Sequence, residues 1–316
     1  MVAELAETSK LEIVSLVDNT VDFLSSNSRK EVRTFQHSSH WHTGLPCAEN
    51  GFSMYIKVYS SGESHSILFD AGTSPDGVCK NAKLMDIDLK SVGFVVLSHG
   101  HYDHFGGLVN AVKTINRPDL QIISHEDMDK PRAVANTKGD LREYPTFPKS
   151  KELTPANIIN TKKPLLIASN LAYVTGEIPR TVSFENGLIS NRIYKNASWH
   201  PDPLILDERA LVFNVKDEGL VIISGCAHSG IINTVRYAQL ITGIPKVYAI
   251  LGGFHLSGKE YEKRINRTVK ELRQISPELI IPSHCTGWRA MTTIAKKFPN
   301  TFIWNSIGNH YLLGSS

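Results

Sequence analysis

The chain has 316 residues, of which 41% are hydrophobic and 21% charged, and its net charge at neutral pH is +3. This composition is typical of a folded protein with a sizeable core and excludes a disordered or collagen-like chain. Lysine and arginine are dispersed along the sequence. The charge pattern therefore leaves a nucleic-acid partner unsupported, without excluding it.

Targeting and domain signals are weak. The segment Met1–Lys10 carries charges and lacks the apolar core of a secretory signal, and no later run reaches the roughly 18 apolar residues of a membrane span. We therefore expect a cytoplasmic protein without a membrane partner. The four cysteines form no Cys-x-x-Cys pair, so disulfides are not expected. We predict one domain over residues 1–316, with a substrate-shaping insertion at about 126–208, and the sequence leaves the oligomeric state open.

The first third of the chain predicts three strands and a polar loop. The strands are Leu11–Val17, Gly51–Tyr59 and Ser66–Phe69, and the last is closed by Asp70-Ala71-Gly72. The loop contains His40-Trp41-His42, which follows no strand and has no carboxylate close behind it. This second His-x-His is either a ligand pair or, as we favour, part of a mobile loop or substrate wall.

The strongest feature is a cluster of ligand-type side chains after a buried strand. Apolar Phe94–Leu97 runs into His99-Gly100-His101-Tyr102-Asp103-His104, and a Gly-Gly pair then opens a helical pattern that begins at Leu108. Imidazole and carboxylate are ligands of zinc and similar ions. Four such side chains within six residues are more than a single ion usually takes from so short a segment. A solvated loop with clustered histidines is the alternative, but it does not explain the position at a strand end. Two metal positions are therefore predicted.

Three later strands also lead into histidines. They are Leu220–Ile223 before His228, Val247–Leu251 before His255, and Leu279–Ile281 before His284. Helical spacing follows the first at about Gly230–Leu240 and the second at Tyr261–Ile275. Continuous apolar runs indicate strands covered on both faces, with ends that converge on one edge of the sheets. A core histidine could explain any one of these positions, but not the repetition.

The middle of the chain, from His125 to about Glu208, is rich in proline, asparagine and lysine. Short pieces at Leu171–Val174 and Thr181–Phe184 have strand-like composition. Gly176–Arg180 is a turn that either contacts substrate or forms an exposed salt-bridged loop. We expect this region to cover the site.

Together, His-x-His-x-Asp-His after a buried strand and the histidines at later strand ends resemble the metallo-β-lactamase fold hydrolases. The resemblance covers nearly the whole chain and implies an α/β protein, an αββα sandwich of two mixed sheets flanked by helices. The implied ligands are His99, His101 and His228 for a first metal, and Asp103, His104 and His284 for a second. Asp70 would then orient ligands, unless it is a simple turn residue.

One position departs from the pattern of those hydrolases. They place a bridging aspartate at the strand end where this chain has Gly252-Gly253-Phe254-His255. A neutral imidazole offers one acceptor nitrogen and does not ordinarily bridge, so we predict that His255 is a terminal ligand or faces substrate. Cys226 and Cys285 flank ligands, either as small buried residues or as thiolate ligands.

A narrower resemblance concerns three short motifs. Gly-Cys-x-His-x-Gly-Ile, Gly-Gly-Phe-His-Leu and His-Cys-Thr-Gly resemble a subgroup of the superfamily related to an archaeal dihydropterin-ribofuranosylaminobenzene-phosphate synthase, and Val17-Asp18-Asn19 and Glu49–Ser53 fit that subgroup. The implied cofactor is one or two divalent ions. We expect zinc, with iron, manganese or nickel as alternatives.

The predicted function is a metal-dependent hydrolase of a small molecule. Metal lowers the pKa of bound water from about 15.7 toward about 7, which gives hydroxide able to attack an amide, an ester, a lactone (including a β-lactam) or a phosphoester. Asp103 could accept a proton from that water, and His255 could contact substrate. No nucleophile elbow, Walker loop or dinucleotide fingerprint points to another mechanism.

Two alternatives remain open. In a synthase-like condensing enzyme, the metals bind a pterin diphosphate, pyrophosphate leaves, and a carbon–nitrogen or carbon–carbon bond forms with an arylamine phosphate. This reaction requires a phosphate-binding lysine or arginine in the middle region, such as Arg180. The other alternative is a metal-dependent binding protein without turnover.

Overall fold

The computed structural model describes residues 4–27, 29–37 and 44–314. Within these ranges the strands form two large mixed sheets and a smaller third sheet. The first large sheet contains, in spatial order, β10 (Asn157–Asn160), β7 (Gln121–Ser124), β6 (Val92–Val96), β5 (Glu63–Phe69), β4 (Ser53–Ser60), β2 (Lys10–Val17), β19 (His310–Gly314) and β3 (Val32–Arg33). Strands β5, β6 and β7 run parallel, whereas β2, β4 and β5 are antiparallel neighbours.

The second large sheet has the same mixed character. It contains β11 (Leu165–Ile167), β12 (Ala172–Val174), β15 (Ala210–Val215), β16 (Gly219–Ser224), β17 (Val247–Gly253) and β18 (Leu279–Ser283), with the short β1 (Glu7–Thr8) also paired to β15. Strands β16, β17 and β18 are parallel. Their carboxyl ends therefore meet at one edge of the sheet.

A third, antiparallel sheet comes entirely from the middle of the chain. It contains β14 (Ser198–Pro201), β13 (Asn191–Lys195), β8 (Arg132–Ala135) and β9 (Leu141–Glu143). Other strands of the segment 126–208 pair with the large sheets: β10 lies beside β7, and β12 lies beside β15. The segment thus extends the sandwich as well as adding a separate sheet to it.

The α-helices of the described residues are α1 (Gly77–Leu84), α2 (Tyr102–Phe105), α3 (Leu108–Ile115), α4 (Ile231–Thr242), α5 (Ile265–Ile275) and α6 (Trp288–Lys297). The apolar face of α3 packs on the first large sheet, where Leu108 and Val112 join a core with Val95. Helices α4, α5 and α6 pack on the second large sheet. None of the described helices combines the length and apolar character that a bilayer crossing requires.

The central core lies between the two large sheets. Ile56 and Phe69 from the first sheet pack with Phe213 and Val221 from the second. Alternate residues of the same strands, such as Tyr55 and Leu68, face the helices instead. This two-faced burial yields helix, sheet, sheet and helix layers, and it confirms the predicted αββα sandwich.

The predicted strand at Thr181–Phe184 is wrong, because these residues form an extended stretch and a turn without a sheet partner. The side-chain oxygen of Asn233 accepts hydrogen bonds from the backbone N–H groups of Thr181 (2.8 Å) and Val182 (2.9 Å). A side chain of α4 thus satisfies the donors that a neighbouring strand would have satisfied. The motif His40-Trp41-His42 lies outside the described residues.

Candidate metal centre

The ends of four strands deliver the ligand-type side chains to one edge of the sandwich. His99–His104 follow β6, Cys226 and His228 follow β16, His255 follows β17, and His284 follows β18. A cavity of about 270 Å³ is lined by His101, Asp103, Cys226, His228, His255 and His284, whereas His99 and His104 are completely buried. Its remaining wall is made by Asn50, Tyr102, Arg142, Tyr144, Leu188 and Asn191, together with Cys285. Arg142, Tyr144, Leu188 and Asn191 of this wall come from the middle region.

The first cluster consists of His99, His101 and His228, whose ligand atoms all lie within 4.8 Å of one another. His99 Nε2 and His101 Nδ1 are 3.0 Å apart. Burial and the neighbouring imidazoles lower the pKa of His99 well below its usual value, and burial with His228 does the same to the pKa of His101. Both rings are therefore neutral near pH 7, which is the form that binds metal.

Polar groups lie against the imidazoles of His99 and His228. Ser98 Oγ donates to Asp70 Oδ2 (2.7 Å) and accepts from His99 Nδ1 (2.9 Å), which leaves His99 Nε2 with a free electron pair. His228 Nδ1 lies 3.1 Å from Glu208 Oε1. The Ser98 contact fixes which nitrogen of His99 faces the cluster, and Glu208 holds the His228 backbone N–H (2.6 Å).

The second cluster consists of Asp103, His104 and His284. His104 Nδ1 donates to Asp70 Oδ2 (2.7 Å), and His284 Nδ1 donates to the side-chain oxygen of Asn19 (3.0 Å). The free Nε2 of His284 lies 3.5 Å from Asp103 Oδ2. Asp70 therefore orients His104, and the simple turn interpretation of this residue is not needed.

Two buried carboxylates behind the first cluster immobilise its backbone. Asp207 Oδ2 accepts from the Gly100 N–H (2.7 Å), and its Oδ1 is 2.9 Å from Arg132 Nη2. Burial alone would raise the pKa of Asp207, but Arg132 and the Gly100 N–H lower it to about 2. Burial acts in the same way on Glu208, whose pKa His228 and the adjacent backbone N–H groups lower to about 2.

The side chains present fit divalent ions in their chemistry and spacing. Two nitrogens bound to one tetrahedral zinc at about 2.0–2.1 Å would be roughly 3.3 Å apart, close to the separation of His99 Nε2 and His101 Nδ1. His284 Nε2 is buried and has no hydrogen-bond partner among the described residues. The first cluster would hold one ion and the second cluster another.

His255 stands beside the first cluster. Its ring centroid lies 4.6 Å from that of His228 and 4.9 Å from that of Tyr261. Its Nδ1 has no hydrogen-bond partner within the described part of the chain. This position is compatible with both predicted roles, a terminal ligand and a substrate contact. Arg180 does not line the 270 Å³ cavity.

An αββα sandwich with histidine and aspartate clusters at its strand ends defines a class of metal-binding proteins. The family profile described as the metallo-beta-lactamase superfamily matches residues 48–284, and this chain belongs to that superfamily. Among solved structures, Tm1679, described as a metal-dependent hydrolase of the beta-lactamase superfamily, has a TM-score of 0.72 and 24% sequence identity, covering 97% of this chain and 99% of its own. That likeness concerns the fold.

Two curated proteins of the archaeon Methanocaldococcus jannaschii are similar in sequence. One, named 7,8-dihydropterin-6-methyl-4-(beta-D-ribofuranosyl)-aminobenzene-5'-phosphate synthase, is 32% identical over 270 residues, which is 81% of this chain and 87% of that protein. The other is uncharacterized and is 29% identical over 273 residues, which is 83% of this chain and 92% of that protein. The predicted superfamily and subgroup resemblance are thereby confirmed.

Sequence reasoning missed several residues of the site. Asp207 and Glu208 precede β15, in a segment with no ligand-like spacing, so no sequence signal marked them. Asp18 and Asn19 were noticed only as a motif, yet Asp18 Oδ1 accepts from the His284 N–H (2.8 Å). The Val-Asp-Asn sequence at the end of an apolar strand was the available signal.

Proposed function

We propose that this chain is a metal-dependent hydrolase of a small molecule that contains an amide, ester, lactone or phosphoester bond. The observation that carries the proposal is the pair of adjacent clusters, His99/His101/His228 and Asp103/His104/His284, each of which contributes two residues to the wall of one cavity. Divalent ions held there would lower the pKa of water and polarise the bond under attack. Zinc is the ion we expect from this donor set.

Asp103 is placed to orient the attacking water through a hydrogen bond. Its side chain is 17% exposed and borders the cavity. Burial alone would raise the pKa of Asp103, but His104 and His284 lower it well below its usual value. A carboxylate with so low a pKa is a weak base. We therefore expect Asp103 to accept a hydrogen bond from the attacking water rather than to remove a proton from it.

Substrate recognition would fall to the wall of the cavity. Tyr144 lies against both His101 and Tyr102, with ring-centroid distances of 5.5 and 5.4 Å, and Arg142 stacks over Tyr144 at 6.0 Å. An arginine beside an aromatic ring suits a planar or anionic group. His255 would contact the substrate from the opposite strand end.

A second cavity favours the condensing reaction as the alternative function. It has a volume of about 640 Å³, and its lining includes the cationic side chains of Arg192, Lys263, Arg264 and Arg267. Tyr261 lines it as well and contacts the His255 ring, which connects this cavity to the candidate metal centre. A cationic and aromatic surface suits an arylamine phosphate. The 32% identity to the archaeal synthase supports the same alternative.

One assay separates the two functions. Metal-loaded protein is incubated with a dihydropterin diphosphate, with and without the ribofuranosylaminobenzene phosphate acceptor, and pyrophosphate release is measured. Release that depends on the acceptor would establish the condensing enzyme, and release should then weaken in Arg192→Ala. No release with either mixture, combined with cleavage in a panel of lactams, lactones and phosphodiesters, is the result expected for the hydrolase.

A further inference from the structure

The two cysteines near the candidate metal centre are not used by the proposed hydrolysis. Cys226 is buried, and its Sγ lies 3.2 Å from His104 Nε2, the nitrogen that faces the second cluster. The ligand atoms of Cys226, His99 and His104 lie within 4.8 Å of one another, so the sulfur is close to both clusters. The same limit holds for Cys226 with His228 and His255.

The neighbouring strand end explains why a sulfur occupies this place. A Cβ atom on Gly253 would collide with the carbonyl oxygen of Gly225 and would lie 2.7 Å from Cys285 Sγ and 3.1 Å from Cys226 Cα. No side chain fits there without displacement of the backbone. The carboxylate that the family resemblance implies at this strand end is therefore excluded by packing, and Cys226, just after the adjacent strand β16, lies close to both clusters.

We infer that Cys226 supplies a thiolate ligand between the two metal positions, in place of the missing bridging carboxylate. This inference rests on the proposed metal centre. A sulfur and a nitrogen bound to one zinc at about 2.3 and 2.0–2.1 Å would be roughly 3.6 Å apart, near the 3.2 Å between Cys226 Sγ and His104 Nε2. The thiol proton passes to solvent when the sulfur binds.

The ligand also sets the choice of metal. Thiolate favours zinc and iron, whereas carboxylate and water favour magnesium and manganese. Cys285 lies close by: its Sγ donates toward the carbonyl oxygen of Cys226 (3.5 Å), and the ligand atoms of Cys226, His284 and Cys285 lie within 4.8 Å of one another. We assign the thiolate to Cys226 because its sulfur, within the described residues, is the one that also groups with His99 and His104.

The test is cobalt titration of the metal-free full-length protein under reducing conditions, followed by absorption spectroscopy. Wild type should show a sulfur-to-cobalt charge-transfer band, and Cys285→Ser and the remote Cys79→Ser should keep it. Cys226→Ser should lose the band. Cys226→Asp should also lose it, yet still bind two cobalt ions through the introduced carboxylate.

X-ray absorption of wild-type protein gives a reading that does not depend on the folding of a variant, since it detects a sulfur neighbour of cobalt directly. Cobalt bound to wild type by nitrogen and oxygen alone would overturn the role of Cys226 and leave the metal centre standing. A band that survives Cys226→Ser would overturn it as well. A wild-type protein that binds no cobalt would remove both proposals.

Discussion

The carboxylate of Asp70 accepts a hydrogen bond from His104 Nδ1 at 2.7 Å, and both side chains are completely buried. Asp70 also accepts from the Ser98 N–H (2.6 Å) and from Ser98 Oγ (2.7 Å). One side chain therefore fixes a ligand of the second cluster directly and His99 of the first cluster through Ser98. This arrangement makes Asp70 the shared support of both clusters.

Asp70→Asn should weaken metal binding by about 10- to 100-fold, because an amide cannot accept from all three of these donors. The measurement is the affinity for zinc in competition with a chromophoric chelator. Asp119→Asn, which alters an exposed ion pair with Arg117, is the matched control and should bind as wild type does. An unchanged affinity in Asp70→Asn would show that His104 and His99 need no such support.

The ion pair of Asp207 with Arg132 predicts an acid-sensitive contribution to stability. The folded-state pKa of Asp207 is about 2, below the roughly 3.9 of an unfolded chain. The contribution is therefore complete above about pH 4 and is lost as the pH falls through about 2. Asp207→Asn should lower the free energy of unfolding by about 3–5 kcal/mol at pH 7. The substitution removes the negative charge of Asp207 that lies beside the buried positive charge of Arg132.

Urea unfolding of the metal-free proteins at pH 7 and at pH 3 measures this effect. The difference between wild type and Asp207→Asn should shrink at the lower pH. Asp119→Asn should leave the free energy of unfolding nearly unchanged at either pH, as expected for an exposed pair. Equal losses at both pH values would mean that the charge of Asp207 is not what stabilises the fold.

His255→Ala tests whether this residue serves the substrate. If its imidazole contacts substrate, the variant should keep the metal content of wild type while kcat/KM falls by about 10²-fold or more. His310→Ala, at a half-buried histidine on β19, is a suitable control. Loss of one ion from His255→Ala would instead identify the residue as a terminal ligand.

Contiguous features were predictable from sequence, and features assembled from distant segments were not. His99–His104 lie within one turn after a strand, so residue type and spacing were sufficient to predict a cluster. The later histidines followed from the repetition of apolar strands. The supporting residue Glu208 gave no such signal, because its partner His228 is 20 positions away and only the pairing of β15 with β16 brings them together.

Cys226 shows a second limit of prediction from the sequence. The sequence left open whether it packs or binds metal, since both uses require a small residue beside a ligand. Only the contact with His104 and the closed space at Gly253 distinguish these uses. The same limit applies to Thr181–Phe184, where β-prone residues are held by Asn233 of a distant helix rather than by a strand.

The most direct test of the account is the metal content of the purified protein and its variants, measured by mass spectrometry after dialysis. Wild type and the exposed control His200→Ala should retain about two ions per chain. His101→Ala should lose the first ion and all turnover, whereas His284→Ala should lose the second. A His101→Ala protein with full metal content and full activity would contradict the proposed centre.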